Sequence, residues 1–389
     1  MKKRVLHFVR KKDQLKASFI LNQITNHQIF EPLIAFRKSS SKNKSETFAD
    51  FDINKYKYLD LSLSESFFDK LRFKTIKTLS NKHVDEILDF IKENEISICH
   101  FHYGTDCGIY YPLTKKLPVP FVVSFYGYDC SSFPSFLLGY GKRFLKERVF
   151  RYCSAVFAMS PDMEKDLVAA GCKENRIIVH YYGTDCKKFY YDKIDSENKK
   201  VILLNLSTLV PQKGHIFLLK SIKKIIEKGI VNFELRIAGS GELDAELKKF
   251  VFDNEIKEFV TFVGAVKYAS EQMMDEYRKA DVFVHPSVIA PNGDKEGIPG
   301  TIIEAMSAGL PVISTYHAGI PYIIESGNTG LLVKEHNEDE LALAIISLIQ
   351  GKELRRAIGA AGQAYAVKNL DLPAKEKELE ELYEKVLKK

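Results

Sequence analysis

Short apolar runs separated by amphipathic stretches recur along almost the whole chain, and this alternation restricts the possible folds more than any other feature. In the first half the strand candidates are Arg4–Val9, Glu31–Phe36, Tyr56–Leu61, Ser97–Tyr103, Phe121–Tyr126, Ala155–Ser160 and Ile177–Tyr182. Helical patterns fall between them, among them Ala17–His27, His83–Asn94, Lys142–Tyr152 and Asp162–Ala170. The last is well signalled: Ser160 is placed to cap it, Pro161 takes the first helical position and Gly171 follows its end. The stretch "DKIDSENKK" at Asp192–Lys200 is polar, has no apolar period and reads as a linker. Beyond it the alternation restarts, with strands expected at Val201–Leu206, Phe233–Gly239, Val260–Val263, Val282–His285, Pro311–Ser314 and Gly330–Val333. Helices are expected at His215–Glu227, Leu243–Asp253 and Asp339–Gln350. Strands alternating with helices imply right-handed crossovers and a parallel sheet, here twice over. The expected class is therefore α/β, with two doubly wound, Rossmann-like domains at 1–191 and 201–371. Residues 372–389 form a charged helix whose apolar stripe, Leu379, Leu382 and Val386, needs a surface to pack on.

Composition closes off other classes. With 45% hydrophobic and 28% charged residues over 389 positions, the chain is globular rather than disordered. The longest apolar stretch, near Leu341–Ile349, is too short to span a bilayer. After Lys2, Lys3 and Arg4 only five uncharged residues pass before Arg10, so no secretory leader is expected. The six cysteines, Cys99, Cys107, Cys130, Cys153, Cys172 and Cys186, form no C-x-x-C pair and read as reduced, buried thiols of a cytoplasmic protein. Charge is uneven: up to Asp195 there are 32 Lys and Arg against 23 Asp and Glu, while the remainder has 25 against 28. A basic first half suits an anionic surface or substrate, and equally a lysine-rich proteome. No nucleic-acid partner is expected.

In twin α/β domains ligands lie beyond the C-terminal strand ends, facing a cleft. The richest strand-end loop is "NGDKEGIPGTIIE" at Asn292–Glu304. Its two glutamates, Glu296 and Glu304, are eight apart, which on one continuous helix would leave them about 80° out of line. Gly297, Pro299 and Gly300 argue against such a helix, so Glu296 is expected in a loop, with Pro299 opening a helix and Glu304 one turn inside it. Amides of Gly300 and Thr301 at that helix start can hold a diphosphate, Glu304 can accept from two ribose hydroxyls, and Glu296 from the transferred sugar. Spacing alone fits an exposed glutamate pair at a helix start just as well.

The segment Val282–Val333, with "EGIPGTIIEAMSAGLPVIST" inside it, resembles the C-terminal core of family 4 retaining glycosyltransferases, in the branch of bacterial exopolysaccharide and colanic-acid synthesis. "ASFILNQI" at Ala17–Ile24 and "SFYGYDC" at Ser124–Cys130 are similar to N-domain signatures of that branch. The resemblance implies a GT-B fold whose final helix crosses back to the first domain. It also implies transfer of a sugar from a nucleotide diphosphate, most often UDP, to a glycan or lipid-linked acceptor. Glu296 and Glu304 match the family's motif glutamates, with Gly297 and Ile298 between them. Lys213 in "LSTLVPQKG", followed by Gly214, matches the diphosphate-binding lysine. No cofactor or metal is implied if Lys213 and the helix start neutralise the diphosphate.

Three positions depart from the family pattern. Thr208 stands where an Arg is usual, and Arg236 is the candidate substitute or else a structural residue. Tyr126 replaces the usual His and can hydrogen-bond a sugar hydroxyl without carrying charge. The first loop, "VRKKDQLKAS", lacks the common glycine pair. His100 and His102 alternate along one strand face, and His102, nearer the strand end, is a catalytic candidate beside the commoner role in packing. These departures keep a silent nucleotide-sugar binder open as a second class. A sugar-nucleotide epimerase or dinucleotide oxidoreductase is a third, against which no G-x-G-x-x-G follows the first strand and "GSG" at Gly239–Gly241 falls short. Finally, Phe144, Leu145, Val149 and Tyr152, flanked by Lys142, Arg143, Lys146, Arg148 and Arg151, form either a stripe for an anionic membrane surface or a face packed on the sheet.

Overall fold

A computed structural model of the chain describes residues 2–38, 51–191 and 200–388. The expected linker lies outside the described residues except for Lys200. The chain forms two compact units, 1–183 with 372–389, and 184–371.

The first unit is built on seven parallel strands: β1 (Arg4–Lys11), β2 (Glu31–Lys38), β3 (Tyr58–Asp60), β4 (Ile98–His102), β5 (Phe121–Ser124), β6 (Ala155–Ala158) and β7 (Ile177–Val179). Their order is β3-β2-β1-β4-β5-β6-β7. The second holds six parallel strands: β8 (Val201–Leu206), β9 (Phe233–Ala238), β10 (Val260–Gly264), β11 (Val282–His285), β12 (Val312–Thr315) and β13 (Leu331–Val333). These run β10-β9-β8-β11-β12-β13. Every residue of β4, β5, β6, β11 and β12 is buried, because helices cover both faces of a parallel sheet. This is why those strands read as unbroken apolar runs in the sequence. The order reverses at β1/β4 in one sheet and at β8/β11 in the other, the places where such sheets open a crevice.

The C-terminal helix, Leu372–Leu387, belongs to the first unit. Leu379, Tyr383 and Val386 pack against Val5, Phe30, Ile98, Val122, Ala155 and Phe157, with Leu382 at the margin. Burial of each such large side chain contributes about 1.5–3 kcal/mol, which holds this charged helix to the sheet. The second unit begins at Thr184 rather than after the linker. Thr184 pairs with Asp371, and the Phe189 ring meets Tyr277 edge-on at 5.7 Å. All six cysteines are buried free thiols.

The helix expected at Lys142–Tyr152 forms within Phe136–Leu145, after a kink at Leu137, Leu138 and Gly139 where the backbone is not helical, and continues as a wide helical turn, Lys146–Phe150. Phe144, Leu145 and Val149 are buried, so the stripe proposed for a membrane faces the interior. The side chain missing at Gly108 makes room for the Phe144 ring.

Six histidines of the two units are buried and held neutral. Burial lowers His7 and His100 well below the usual value, takes His102, His180 and His215 to about 3, and lowers His285. The unfolded chain protonates these groups first, so stability is whole above about pH 6.5 and is lost as pH falls towards the folded values, at about 1.4 kcal/mol per histidine for each pH unit. Thermal unfolding followed by circular dichroism should therefore show a fall in midpoint between about pH 6.5 and about pH 5, which the raised carboxyls, Asp129, Glu304 and Glu376 among them, offset only in part, being fewer than the histidines. A flat midpoint across that interval would contradict neutral burial.

Candidate active site

The strand ends of the second unit bring the sequence-predicted donor residues together. Chain leaving β8 turns at Ser207–Val210 and enters a short turn, Pro211–Lys213, which ends at Gly214. Gly214 has φ of 68° and lies so close to the Pro286 carbonyl that a Cβ would sit 1.9 Å from its oxygen. The turn is thus pressed onto the chain leaving β11, and the Val288 amide donating to the Gln212 carbonyl at 2.9 Å ties the two together. Gly239, at φ of 150°, packs in the same way on the Ser207 carbonyl. "GSG" therefore braces the β8 loop instead of cradling a dinucleotide.

This bracing aims Lys213 at Glu296, with Nζ 2.5 Å from Oε1. Glu296 lies in the loop, as expected, and is nearly buried. His285 at the end of β11 places Nε2 3.7 Å from its other oxygen. Burial works against the charged carboxylate, but Lys213 and His285 outweigh it and bring its pKa down to about 2. The Glu296 backbone is fixed as well: its amide donates to His317 Nε2 at 3.1 Å, so the other ring nitrogen, Nδ1, carries the hydrogen given to Glu335 at 2.8 Å. Glu335 in turn accepts from the Ile289 amide.

Pro299 caps the helix Gly300–Ser307, and Glu304 stands one turn inside it. Burial raises Glu304 to about 7, opposed by the Tyr277 hydroxyl that donates to Oε2 at 2.8 Å. Gly297 and Ile298 are buried in the approach to that helix, while Gly300 and Thr301 are half-buried at its start. Thr208 is exposed and brings no charge. Arg236 does not replace it, since its guanidinium is committed to both oxygens of Glu276 and to Glu234. It is a structural residue.

In the first unit the strand ends converge on Tyr126. Phe19 of the "ASFILNQI" segment packs its ring 4.7 Å from that of Tyr126, and Gln23 donates to the phenol oxygen at 3.3 Å. Asp129 accepts from the amides of Gly104, Tyr126 and Gly127, clamping the ends of β4 and β5. Both N-domain signatures thus meet at one side chain. His102 is fully buried, with Nδ1 2.6 Å from the Tyr126 oxygen and Nε2 3.0 Å from His7 Nδ1. It supports Tyr126 and does not reach outward. The nitrogens of His7, His100 and His102 are close enough for a metal, but both nitrogens of every ring are already hydrogen-bonded. His7, Asp129, His285, His317, Glu335 and Tyr277 were not singled out from the sequence. His7 carried a signal, as the one histidine of β1, paired in register with His100.

Two family models match the chain: "Glycosyltransferase Family 4" over residues 72–188 and "Glycosyl transferases group 1" over residues 187–365. The chain belongs to glycosyltransferase family 4. Its relatives include enzymes of bacterial exopolysaccharide synthesis. The amylovoran biosynthesis glycosyltransferase AmsK of Erwinia amylovora is 30% identical over 66% of this chain and 62% of its own length. A colanic acid biosynthesis glycosyltransferase of Salmonella typhimurium, WcaL, is 26% identical over 93% of this chain and 95% of its own. Among solved structures, Anabaena HepE in complex with UDP superposes with a TM-score of 0.76 at 16% identity, covering 98% of this chain and all of that one. The fold of this family 4 chain is GT-B, as its motifs implied.

Gly214→Ala tests the local logic of the donor loop. An L-residue in this left-handed conformation costs about 1–2 kcal/mol, and the Pro286 carbonyl adds a steric clash. Chemical denaturation should show the second unit destabilised by at least that amount, whereas Gly293→Ala, where a Cβ meets nothing within 4 Å, should cost only the backbone strain.

Proposed function

We propose that this protein is a retaining glycosyltransferase that moves a sugar from a UDP-sugar to a glycan or lipid-linked acceptor in bacterial surface polysaccharide synthesis. The observation that carries this reading is the Lys213–Glu296 pair beside the helix start at Gly300, with Glu304 one turn further on. HepE, which shares the fold, is solved with UDP, with UDP and glucose and with UDP-glucose, which supports the choice of donor.

In this scheme the diphosphate lies against the amides at Gly300 and Thr301, where the helix dipole favours negative charge. Lys213 turns from Glu296 to the phosphates and offsets the charge that grows on the leaving group. Glu296, ionised throughout, accepts hydroxyls of the transferred sugar, and Glu304 accepts those of the ribose. The acceptor hydroxyl approaches from the face the nucleotide leaves, and a departing phosphate oxygen takes its proton. No step requires a metal. The first unit carries the acceptor side, with Tyr126 as the group that meets the acceptor.

Isothermal calorimetry with UDP and a transfer assay test the assignment. Lys213→Ala should weaken UDP binding, and Glu304→Ala should cost about 1–3 kcal/mol as the loss of hydrogen bonds to a charged group. Glu296→Gln releases Lys213 from its partner, so UDP should bind as tightly or more tightly while transfer slows. UDP affinity unchanged in the first two variants would sink the donor site. UDP binding with no turnover of any UDP-sugar would favour a silent binder.

The same proposal places the enzyme at the cytoplasmic membrane face, attached peripherally. No helix among the described residues is long and apolar enough to cross a membrane. A cluster of apolar residues that can meet lipid lies at the tip preceding the buried stripe. Phe136, Leu137, Leu138 and Tyr140 are exposed, with Lys142 and Arg143 exposed beside them. Each cation near anionic lipid is worth about 1 kcal/mol and is screened by salt. Co-sedimentation should be seen with anionic vesicles, fade as salt rises, and be lost in Leu137→Ser/Leu138→Ser. Equal binding to neutral vesicles, or none at low salt, rejects the surface.

A further inference from the structure

Beneath Tyr126 lies an unbroken line of buried side-chain hydrogen bonds. From the Tyr126 oxygen it passes to His102 Nδ1 at 2.6 Å, from His102 Nε2 to His7 Nδ1 at 3.0 Å, and from His7 Nε2 to His27 Nε2 at 2.9 Å. It ends where His27 Nδ1 meets Glu380 Oε1 of the C-terminal helix at 3.2 Å. Each ring nitrogen either carries a hydrogen or accepts one, so the direction of one bond dictates the next.

Glu380 sets the direction. Its carboxylate accepts from the main-chain amides of Gln28, Ile29 and Phe30 at 2.8–3.0 Å, an environment that demands the ionised, acceptor-only form. A neutral His27 must therefore carry its hydrogen on Nδ1, which leaves Nε2 bare. His7 then donates from Nε2 and is bare at Nδ1, and His102 donates from Nε2 and is bare at Nδ1. The Tyr126 hydrogen fills that last place. An extra proton on His27 would turn every bond around while His7 and His102 stayed neutral, so the inward direction belongs to the neutral form of His27.

We propose that Glu380, acting through His27, His7 and His102, locks the Tyr126 hydroxyl hydrogen inward, so that Tyr126 presents only oxygen lone pairs to the acceptor. One lone pair takes the Gln23 amide, the Ser124 hydroxyl stands beside the same oxygen, and what remains suits a hydroxyl that donates. The group recognised is thus a sugar hydroxyl, in preference to an ether or carbonyl that can only accept. Glu380 is a positioning residue, joined to Tyr126 across 254 positions of sequence. The inference rests on the reading of Tyr126 as an acceptor-side residue, but its direct test needs no substrate.

Selective 15N-histidine labelling of the full chain reads the tautomers, since two-bond proton–nitrogen spectra separate a protonated Nδ1 from a protonated Nε2. The wild type at neutral pH should show His27 with hydrogen on Nδ1, and His7 and His102 with hydrogen on Nε2, each as a single form. His27→Phe keeps a ring but breaks the chain near its anchor, so His102 should pass to a mixture of tautomers. Tyr126→Phe removes the far end and should leave His102 protonated on Nε2. A wild-type His102 protonated on Nδ1, or a His102 signal that follows Tyr126→Phe and ignores His27→Phe, overturns the proposal. If His27→Phe does not fold, the wild-type tautomers and Tyr126→Phe still decide it. Absence of transfer from UDP-sugars would strike the functional reading and leave these spectra untouched.

Discussion

One buried carboxylate holds the first unit together. Glu380 satisfies three main-chain amides where the chain swings from the first helix into β2, and it reaches them from the last helix of the sequence. An ionised group there is tolerable only because every oxygen is met by a donor; removing either side would leave buried polar groups bare, at a cost of several kcal/mol. Three residues further along, Tyr383 places its hydroxyl 2.6 Å from His100, whose other nitrogen meets Ser124. Glu376, one turn before Glu380, is also buried, and burial together with Glu380 pushes its pKa well up, so one of two neighbouring carboxyls is charged and the other neutral. The helix is both an apolar strap and the source of the polar groups under Tyr126.

The two units use their sheet reversals in opposite electrostatic ways. At β8/β11 the chain assembles a compact ion pair, Lys213 with Glu296, supported by imidazoles and ready to exchange partners. At β1/β4 it assembles neutral imidazoles that fix hydrogen positions without net charge. Charge is concentrated at the second reversal, and hydrogen-bond direction at the first.

Much of this was legible in the sequence, and the missing parts have physical reasons. The thirteen strands among the described residues were all marked by apolar runs, most plainly the five wholly buried ones, where two-sided burial leaves no polar alternation to blur them. Glu296, Pro299 and Glu304 took the loop, cap and helix positions their spacing implied, since Gly and Pro constrain backbone locally. The stripe of Phe144, Leu145 and Val149 misled: an amphipathic helix shows the same period whether its apolar face meets lipid or a sheet, and the Gly108 notch that admits Phe144 is distant in sequence. The histidine line was invisible for a similar reason. His7, His27, His102 and Glu380 come from four separate segments, and only the return of the last helix brings them into one row.

That return has a consequence for how the protein is made. The second unit is one continuous piece, 184–371, and has all its strands once residue 371 has left the ribosome. The first unit, although synthesised first, lacks its closing helix until Leu372–Leu387 emerges. Until then the face of β1, β4, β5 and β6 that Leu379, Tyr383 and Val386 will cover is open to water. Vectorial synthesis thus completes the domains in reverse of their order along the chain, and a nascent chain stalled anywhere before Leu372 exposes a sticky, half-built sheet to chaperones and proteases.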